Sequence, residues 1–148
     1  MSGGQTGGAG AAYAGDVSAK EAWSKLATDP GAALVDVRSD AEWTFVGLPD
    51  LSAVGKAPVL VPLQVFPGMA PNPNFTAEVA RAVPAKDAPI YFLCRSGGRS
   101  RTAAIALTAL GYTRCFNIAG GFEGDLDGER HRGQAGGWKV AGLPWRQS

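Results

Sequence analysis

Residues that build disulfide frameworks and metal centres are scarce in this 148-residue chain, which has two cysteines and one histidine. Two cysteines far apart in sequence make neither a disulfide framework nor a metal knuckle. A reducing compartment fits such a chain best, because a reactive thiol must stay free to work. The sequence therefore predicts a cytoplasmic protein.

Excess charge and long apolar runs are also absent. The 14 Lys and Arg and the 13 Asp and Glu residues leave a formal net charge of +1, with no basic run or basic amphipathic helix. This balance argues against nucleic acid and membrane surfaces as partners. No segment approaches the apolar length of a membrane span. Residues 1–15 are rich in Gly and Ala and lack the charged start and apolar run of a secretion signal, which indicates a flexible leader.

The chain does have enough apolar sequence for one core, since apolar residues make up 45% of it and charged residues 18%. Strand-like and helical stretches alternate. Helices are predicted at 18–27, 39–43, 74–83 and 100–110, and strands at 32–37, 57–63, 89–93 and 114–119. This order predicts a single α/β domain over residues 16–148, with a mostly parallel sheet of about five strands and helices on both faces.

The most informative stretch runs from residue 90 to residue 104. A short apolar run ends at Cys94, a glycine-rich basic loop follows, and an alanine-rich segment continues with helical character. A strand, a tight loop and a helix start turn backbone N–H groups and the positive end of the helix dipole toward one point. Gly97 and Gly98 permit positive φ and close approach of a ligand, and Arg95 and Arg99 add positive charge for an anion.

Cys94 stands at the mouth of this predicted loop. Between Asp87 and Glu123 the chain has no acidic residue, whereas four arginines fall inside that interval. An electropositive helix N-terminus stabilises a thiolate, so we hypothesise that Cys94 is a nucleophile at neutral pH. The alternative is a small buried hydrophobe at a strand end, which leaves the glycines and arginines after it without a purpose. Cys115 has no glycine loop after it and is predicted to be a core residue.

Asp36 and Arg38 follow a strand that is predicted to be buried on both faces. Ligands of open α/β sheets bind outside the C-terminal ends of such strands, so both side chains are candidates to support a site. In the other interpretation they satisfy loop backbone and pair with Glu42. The sequence leaves both interpretations open.

Four motifs, in this order along the chain, carry a family likeness. They are Asp36-Val37-Arg38 with Glu42-Trp43, the run from Cys94 to Ser100, Gly120-Gly121-Phe122, and Gly137-Trp138-Lys139-Val140-Ala141-Gly142-Leu143-Pro144. Together they resemble a single-domain rhodanese over most of the chain, and the cysteine loop is the most specific part.

The resemblance implies a rhodanese-like three-layer fold and a sulfurtransferase. Cys94 would take a sulfane sulfur from a small anionic donor such as thiosulfate, hold it as a persulfide, and pass it to cyanide, a thiol or a protein acceptor. Arg95 and Arg99 would orient the sulfonate of the donor. No metal or organic cofactor is needed. The implied substrate loop is Arg95, Ser96, Gly97, Gly98, Arg99 and Ser100, in which the two serines add hydroxyl donors.

Two stretches depart from the family pattern. Residues 46–50 lead into a loop without the histidine-containing stretch that the family often has, so the substrate pocket differs in detail. Residues 122–135 form an insertion with four carboxylates and the only histidine. Its spacing does not match a calcium loop and one histidine offers no partner, so no metal site is predicted. The insertion is either a solvated, charge-paired loop or a segment that narrows the entrance to the cysteine loop.

Two other functions compete with sulfur transfer. Dual-specificity phosphatases of the cell cycle share this fold, but their phosphate loop needs an arginine at the position that Ser100 occupies here. The second is a carrier or binding module that delivers a persulfide only to a docked protein. The presence of Cys94 argues against an inert module, and turnover of thiosulfate with cyanide separates an enzyme from a dedicated carrier.

Overall fold

Strands and helices alternate along nearly the whole chain. The computed structural model describes residues 12–65, 68, 70–124 and 137–147. In chain order the elements are β1 (Gly15–Val17), α1 (Ala19–Thr28), β2 (Ala33–Asp36), α2 (Asp40–Phe45), β3 (Leu48–Pro49), β4 (Val59–Leu60), β5 (Gln64–Val65), β6 (Ala70–Pro71), α3 (Phe75–Ala82), β7 (Ile90–Leu93), α4 (Gly98–Ala109), β8 (Cys115–Ile118), α5 (Gly137–Val140) and β9 (Trp145–Arg146).

Five parallel strands form the central sheet, in the order β1-β8-β7-β2-β4. Strand β7, which ends just before Cys94, lies in the middle, and all four of its residues are buried. Strand β4, which has prolines on either side, lies at an edge, where a missing backbone donor is tolerated. The predicted parallel α/β sheet of about five strands is confirmed.

Helices cover both faces of this sheet, so the predicted three-layer arrangement is also confirmed. On one face Val35 and Phe92 pack with residues of α3 and α4, including Val79 and Leu107. On the other face the strands pack against α1 and α5, with Trp138 fully buried. Burial of apolar surface in both layers is the main stabilising contribution to such a domain.

Two helices begin at capping boxes that are visible in the sequence. Ser18 accepts from the amide of Glu21 and the Glu21 side chain accepts from the amide of Ser18, which starts α1. Ser39 and Glu42 do the same at the start of α2. Each box satisfies two backbone donors that the helix leaves without partners, so the predicted starts of both helices are confirmed.

Several predicted boundaries are wrong. The amide of Ala14 donates to the carbonyl of Cys115 at 2.8 Å and Gly15 is the first residue of β1, so the leader predicted for residues 1–15 does not extend to residue 15. The antiparallel pairs β3–β9 and β5–β6 were not predicted, and β3 lies in the segment 46–50 that leads into a predicted loop. Helix α4 begins at Gly98 rather than at Ser100. These short pairings depend on distant partners, which local sequence patterns do not reveal.

The inserted segment is described only in part. Residues 122–124 belong to a turn against the cysteine loop, whereas residues 125–135 lie outside the described residues, as do residues 1–11 of the predicted leader. Within the described ranges, none of the helices has the length and apolar character needed to cross a bilayer.

Candidate active site

The loop after β7 leads directly into α4. Gly97 caps the helix with φ +119°, a conformation that favours glycine, and the next residue is the first of α4. Gly97 and Gly98 were both predicted to permit positive φ, and only Gly97 adopts it. The fold thus places Cys94 at the carboxyl end of the central strand, beside the N-terminus of a helix of 12 residues.

The sulfur of Cys94 lies within this turn. The Gly97 amide donates to Sγ at 3.0 Å, and the Ser100 hydroxyl oxygen lies 3.3 Å from Sγ. The residue is only 2% exposed and also contacts the apolar core beneath α4. The sulfur therefore combines a polar, amide-lined side with an apolar side.

Further amides of the loop have no acceptor in the described part of the chain. Helix α4 starts at Gly98, and the amides of its first three residues donate to no carbonyl there, as expected for the first turn of a helix. The amides of Arg95 and Ser96 likewise have no acceptor among these residues. Such unpaired donors, together with the helix dipole, favour an anion beside the sulfur.

A turn formed by residues 120–124 supports the loop from below. The amide of Phe122 donates to the Cys94 carbonyl at 2.8 Å, and the amide of Glu123 donates to the Arg95 carbonyl at 3.0 Å. Gly121 has φ +59°, and a Cβ there would lie 2.5 Å from the Cys94 carbonyl oxygen. The glycine pair in the sequence thus marks a close approach between two backbones.

The C-terminal segment holds that turn in place. The amide of Trp138 donates to the Gly121 carbonyl at 2.8 Å, and its indole N–H donates to the Pro144 carbonyl at 2.7 Å. Lys139 lies with Nζ 4.0 Å from the centre of the Trp145 ring, close enough for a cation–π contact. The terminal motif of the sequence therefore supports the cysteine loop through the turn of residues 120–124.

Arg99 forms an ion pair with Glu42. Nη1 donates to Oε1 and Nη2 donates to Oε2, both at 2.8 Å, and Ser39 also contacts this carboxylate. Burial by itself would raise the pKa of Glu42, but the hydrogen bonds and charge of Arg99, with the bonds from Ser39, lower it to about 2. Two of the five N–H donors of this guanidinium are therefore engaged, and the role of Arg99 in binding an anion stays a prediction.

Arg95 contrasts with Arg99. It is exposed, and its guanidinium has no hydrogen-bond or ion-pair partner among the residues that the structure describes. Ser96 next to it is half-buried. Arg95 is therefore the arginine of the loop that can meet an incoming anion without first breaking another contact.

Asp36 and Arg38 form a fully buried ion pair. Arg38 Nε donates to Oδ1 of Asp36 at 2.9 Å and Nη2 donates to Oδ2 at 2.7 Å. Nη2 also donates to the Gly47 carbonyl, and the guanidinium lies 4.3 Å from the centre of the Phe122 ring. Arg38 thus links the end of β2 to Gly47, after α2, and to Phe122 in the turn beneath the site. The interpretation that Asp36 and Arg38 satisfy loop backbone is confirmed, but the pairing with Glu42 is wrong because Glu42 pairs with Arg99.

Two buried residues of β8 differ in their relation to the site. Cys115 is buried in β8, and burial raises the pKa of its thiol, in agreement with its predicted place in the core. Asn117 is a fully buried amide that contacts Ser100, and sequence reasoning missed it. Its signal was a polar residue inside an otherwise apolar strand, because a buried amide is costly unless it is hydrogen-bonded.

A cleft of about 480 Å³ lies near the site but does not include the sulfur. It is lined by residues of α2 and of the segment after β4, among them Phe45, which is 74% exposed. Cys94 is not one of the lining residues. In the described ranges no group of three or more His, Cys, Asp or Glu side chains is arranged to hold a metal ion.

Comparisons with known proteins agree with this fold. Residues 14–148 match the family model described as the STR4 middle domain. A Rickettsia prowazekii protein, Uncharacterized protein RP600, is 36% identical over 132 residues, which are 88% of this chain and 96% of that protein. The Arabidopsis thaliana protein Rhodanese-like domain-containing protein 4, chloroplastic, is 30% identical over 129 residues, which are 86% of this chain and 25% of that protein.

A solved structure is similar over nearly its full length. The crystal structure of Rv0390 from M. tuberculosis has a TM-score of 0.84 and 48% sequence identity, and the match covers 92% of this chain and 99% of that one. A TM-score of this size over most of both chains shows that the two proteins share the same overall fold.

Proposed function

This chain belongs to the STR4 middle-domain family and is a rhodanese-like domain, and from that premise we propose that it transfers sulfane sulfur through a persulfide on Cys94. The observation that carries the proposal is the amide of Gly97, which donates to Sγ at 3.0 Å. A hydrogen bond from a fixed amide stabilises the negative charge of the Cys94 thiolate. The unpaired amides of the first turn of α4 extend that stabilisation toward the loop entrance.

The proposed reaction has two displacements. The Cys94 thiolate attacks the outer sulfur of thiosulfate, an S–S bond forms, and the S–S bond of the donor breaks, so that sulfite leaves with the bonding electron pair. Cyanide or a thiolate then attacks the outer sulfur of the persulfide and Cys94 leaves as a thiolate. The covalent intermediate divides one difficult transfer into two easier steps.

The roles of the loop side chains follow from their contacts. Arg95 is exposed and without a partner in the described structure, so it is suited to bind the sulfonate of the donor. Arg99 positions α2 against the loop through Glu42. A phosphatase reaction is not favoured, because the position that would need an arginine holds Ser100, which is fully buried.

The proposal is tested by the intact mass of the protein after incubation with thiosulfate. We expect the native chain to gain one sulfur atom, Cys94→Ala to gain none, and the matched control Cys115→Ala to gain one. Subsequent cyanide should remove the added mass and release thiocyanate. A mass gain that survives in Cys94→Ala, or its absence from the native chain, overturns the proposal. A gain that cyanide cannot remove but a protein thiol can indicates a dedicated carrier.

A further inference from the structure

Asn117 connects the sulfur site to the first strand of the sheet. Its Nδ2 donates to Oδ1 of Asp16 at 3.0 Å, and its Oδ1 accepts a hydrogen bond from the Ser100 hydroxyl. The Ser100 oxygen in turn lies 3.3 Å from the sulfur of Cys94. Asn117 and Ser100 are fully buried, whereas Asp16 lies at the exposed edge of the sheet. A chain of hydrogen bonds thus leads from a surface carboxylate to the sulfur.

The chemistry of the carboxylate fixes the direction of this chain. An ionised carboxylate only accepts hydrogen bonds, so Asp16 must face the NH₂ group of Asn117 and not its oxygen. The amide oxygen of Asn117 is therefore turned toward Ser100. A hydroxyl has one hydrogen, and three acceptors lie around that of Ser100: Asn117 Oδ1, the Gly97 carbonyl at 3.2 Å and the Cys94 sulfur at 3.3 Å. The contact with Asn117 Oδ1 is the shortest of the three, so the hydrogen is directed there. The Ser100 oxygen then presents a lone pair, not a hydrogen, to the sulfur.

Other groups hold Asp16 in this role. The Tyr13 hydroxyl donates to the same Oδ1 at 2.8 Å, and Arg101 Nε donates to the Tyr13 oxygen at 3.2 Å. Because Arg101 Nε can only donate, the Tyr13 oxygen accepts from it and the Tyr13 hydrogen points to Asp16, which keeps the carboxylate in place.

We propose that Asp16 and Asn117 are positioning residues that set the direction of the Ser100 hydroxyl hydrogen and, through it, the pH at which Cys94 becomes reactive. While the Ser100 hydroxyl hydrogen points to Asn117, the Ser100 oxygen can accept a hydrogen bond from the Cys94 thiol. It donates no hydrogen bond to the Cys94 thiolate. A 180° rotation of the Asn117 side-chain amide would place its NH₂ group against the Ser100 oxygen. The Ser100 hydroxyl could then donate its hydrogen to the Cys94 sulfur. Asp16 prevents that rotation, because it would bring two acceptors together. This proposal depends on the proposed function in one respect only, namely that the reactive Cys94 sulfur is used for sulfur transfer.

Several charged or titratable groups lie around Cys94 and Asp16, and the test must take their charges into account. They come from the cysteine loop, α4, α2, the end of β2 and the segment before β1, and they are Arg95, Arg99, Arg101, Glu42, Asp36, Arg38 and Tyr13. A change of charge at Asp16 acts on the sulfur through space as well as through Ser100. The experiment must separate these two routes.

The test is the pH profile of iodoacetamide alkylation at Cys94, followed by the mass of the peptide that contains it. Asp16→Asn removes the obstacle to amide rotation at nearly constant shape. We expect its alkylation midpoint to lie about one pH unit below that of the native chain, because a donated hydrogen bond stabilises the thiolate. The same substitution in a Ser100→Ala background should produce no shift, since the connecting hydroxyl is gone. Near-physiological salt screens the exposed charge of Asp16.

Each outcome decides the proposal. Equal shifts with and without Ser100 would show a through-space charge effect and overturn it, as would the absence of a shift in the native background. Thermal unfolding of all four proteins establishes that they are folded. The readout is alkylation and needs no sulfur donor, so a failure of the proposed sulfur transfer appears separately, in the mass experiment above.

Discussion

The ion pair between Glu42 and Arg99 leads to a prediction that can be worked through from the structure. Glu42→Gln removes the charge of the carboxylate but keeps the residue type that a capping box accepts at this position, so α2 retains its start at Ser39. The substitution therefore isolates the ion pair from the helix cap.

The magnitude follows from the pKa of Glu42, which falls from 4.5 to about 2. At about 1.36 kcal/mol per unit this shift corresponds to an upper bound of roughly 3.4 kcal/mol. The two side chains are 21% and 18% exposed, so solvent screens part of the interaction. After that discount we expect Glu42→Gln to lower the free energy of unfolding by about 1 to 2 kcal/mol at neutral pH.

The pH dependence provides the sharper check. Because the folded-state pKa is depressed, the stabilisation is fully present above the unfolded-state pKa and is lost as pH falls toward the folded-state value. The difference between the native chain and Glu42→Gln should therefore shrink as pH falls from about 4.5 toward 2.

Urea unfolding at a series of pH values measures this difference. Asp40→Asn is the matched control, because Asp40 lies in the same first turn of α2 and has no ion-pair partner among the described residues. It should change stability by less than about 0.5 kcal/mol. A Glu42→Gln difference that stays constant from neutral pH into the acid range would refute the reasoning.

The remaining predictions concern the loop backbone and its exposed arginine. Gly121→Ala places a methyl carbon 2.5 Å from the Cys94 carbonyl oxygen at φ +59°, and we expect a loss of at least about 3 kcal/mol in urea unfolding. Gly55→Ala, at φ +72° with no atom within 4 Å, should cost only about 1 kcal/mol, and equal losses would contradict the close approach. Arg95→Gln should raise the thiosulfate KM about tenfold with little change for Arg114→Gln, an exposed arginine away from the loop. An equal rise of the thiosulfate KM in both variants would show that the net charge of the protein, and not Arg95 itself, determines donor binding.

The cysteine loop illustrates how far a local pattern reaches. The run from strand to glycine turn to helix predicted the place of Cys94 and the positive φ of Gly97, because both depend on residues within one turn. The same pattern predicted that Arg95 and Arg99 both bind the anionic donor. The structure separates them, since Arg99 pairs with a residue 57 positions earlier in the chain whereas Arg95 is exposed.

The sequence by itself determined the features whose partners are close along the chain. The capping boxes of Ser18 and Ser39 join groups that are three residues apart. Strands and helices are predicted from the spacing of apolar residues within each segment. Only the tertiary structure decided that Asn117 meets Asp16, 101 residues away, and that Gly121 lies against the backbone of Cys94. Those contacts depend on the order of strands in the sheet, and strand order is settled by the packing of all the layers together, which no short stretch of sequence encodes.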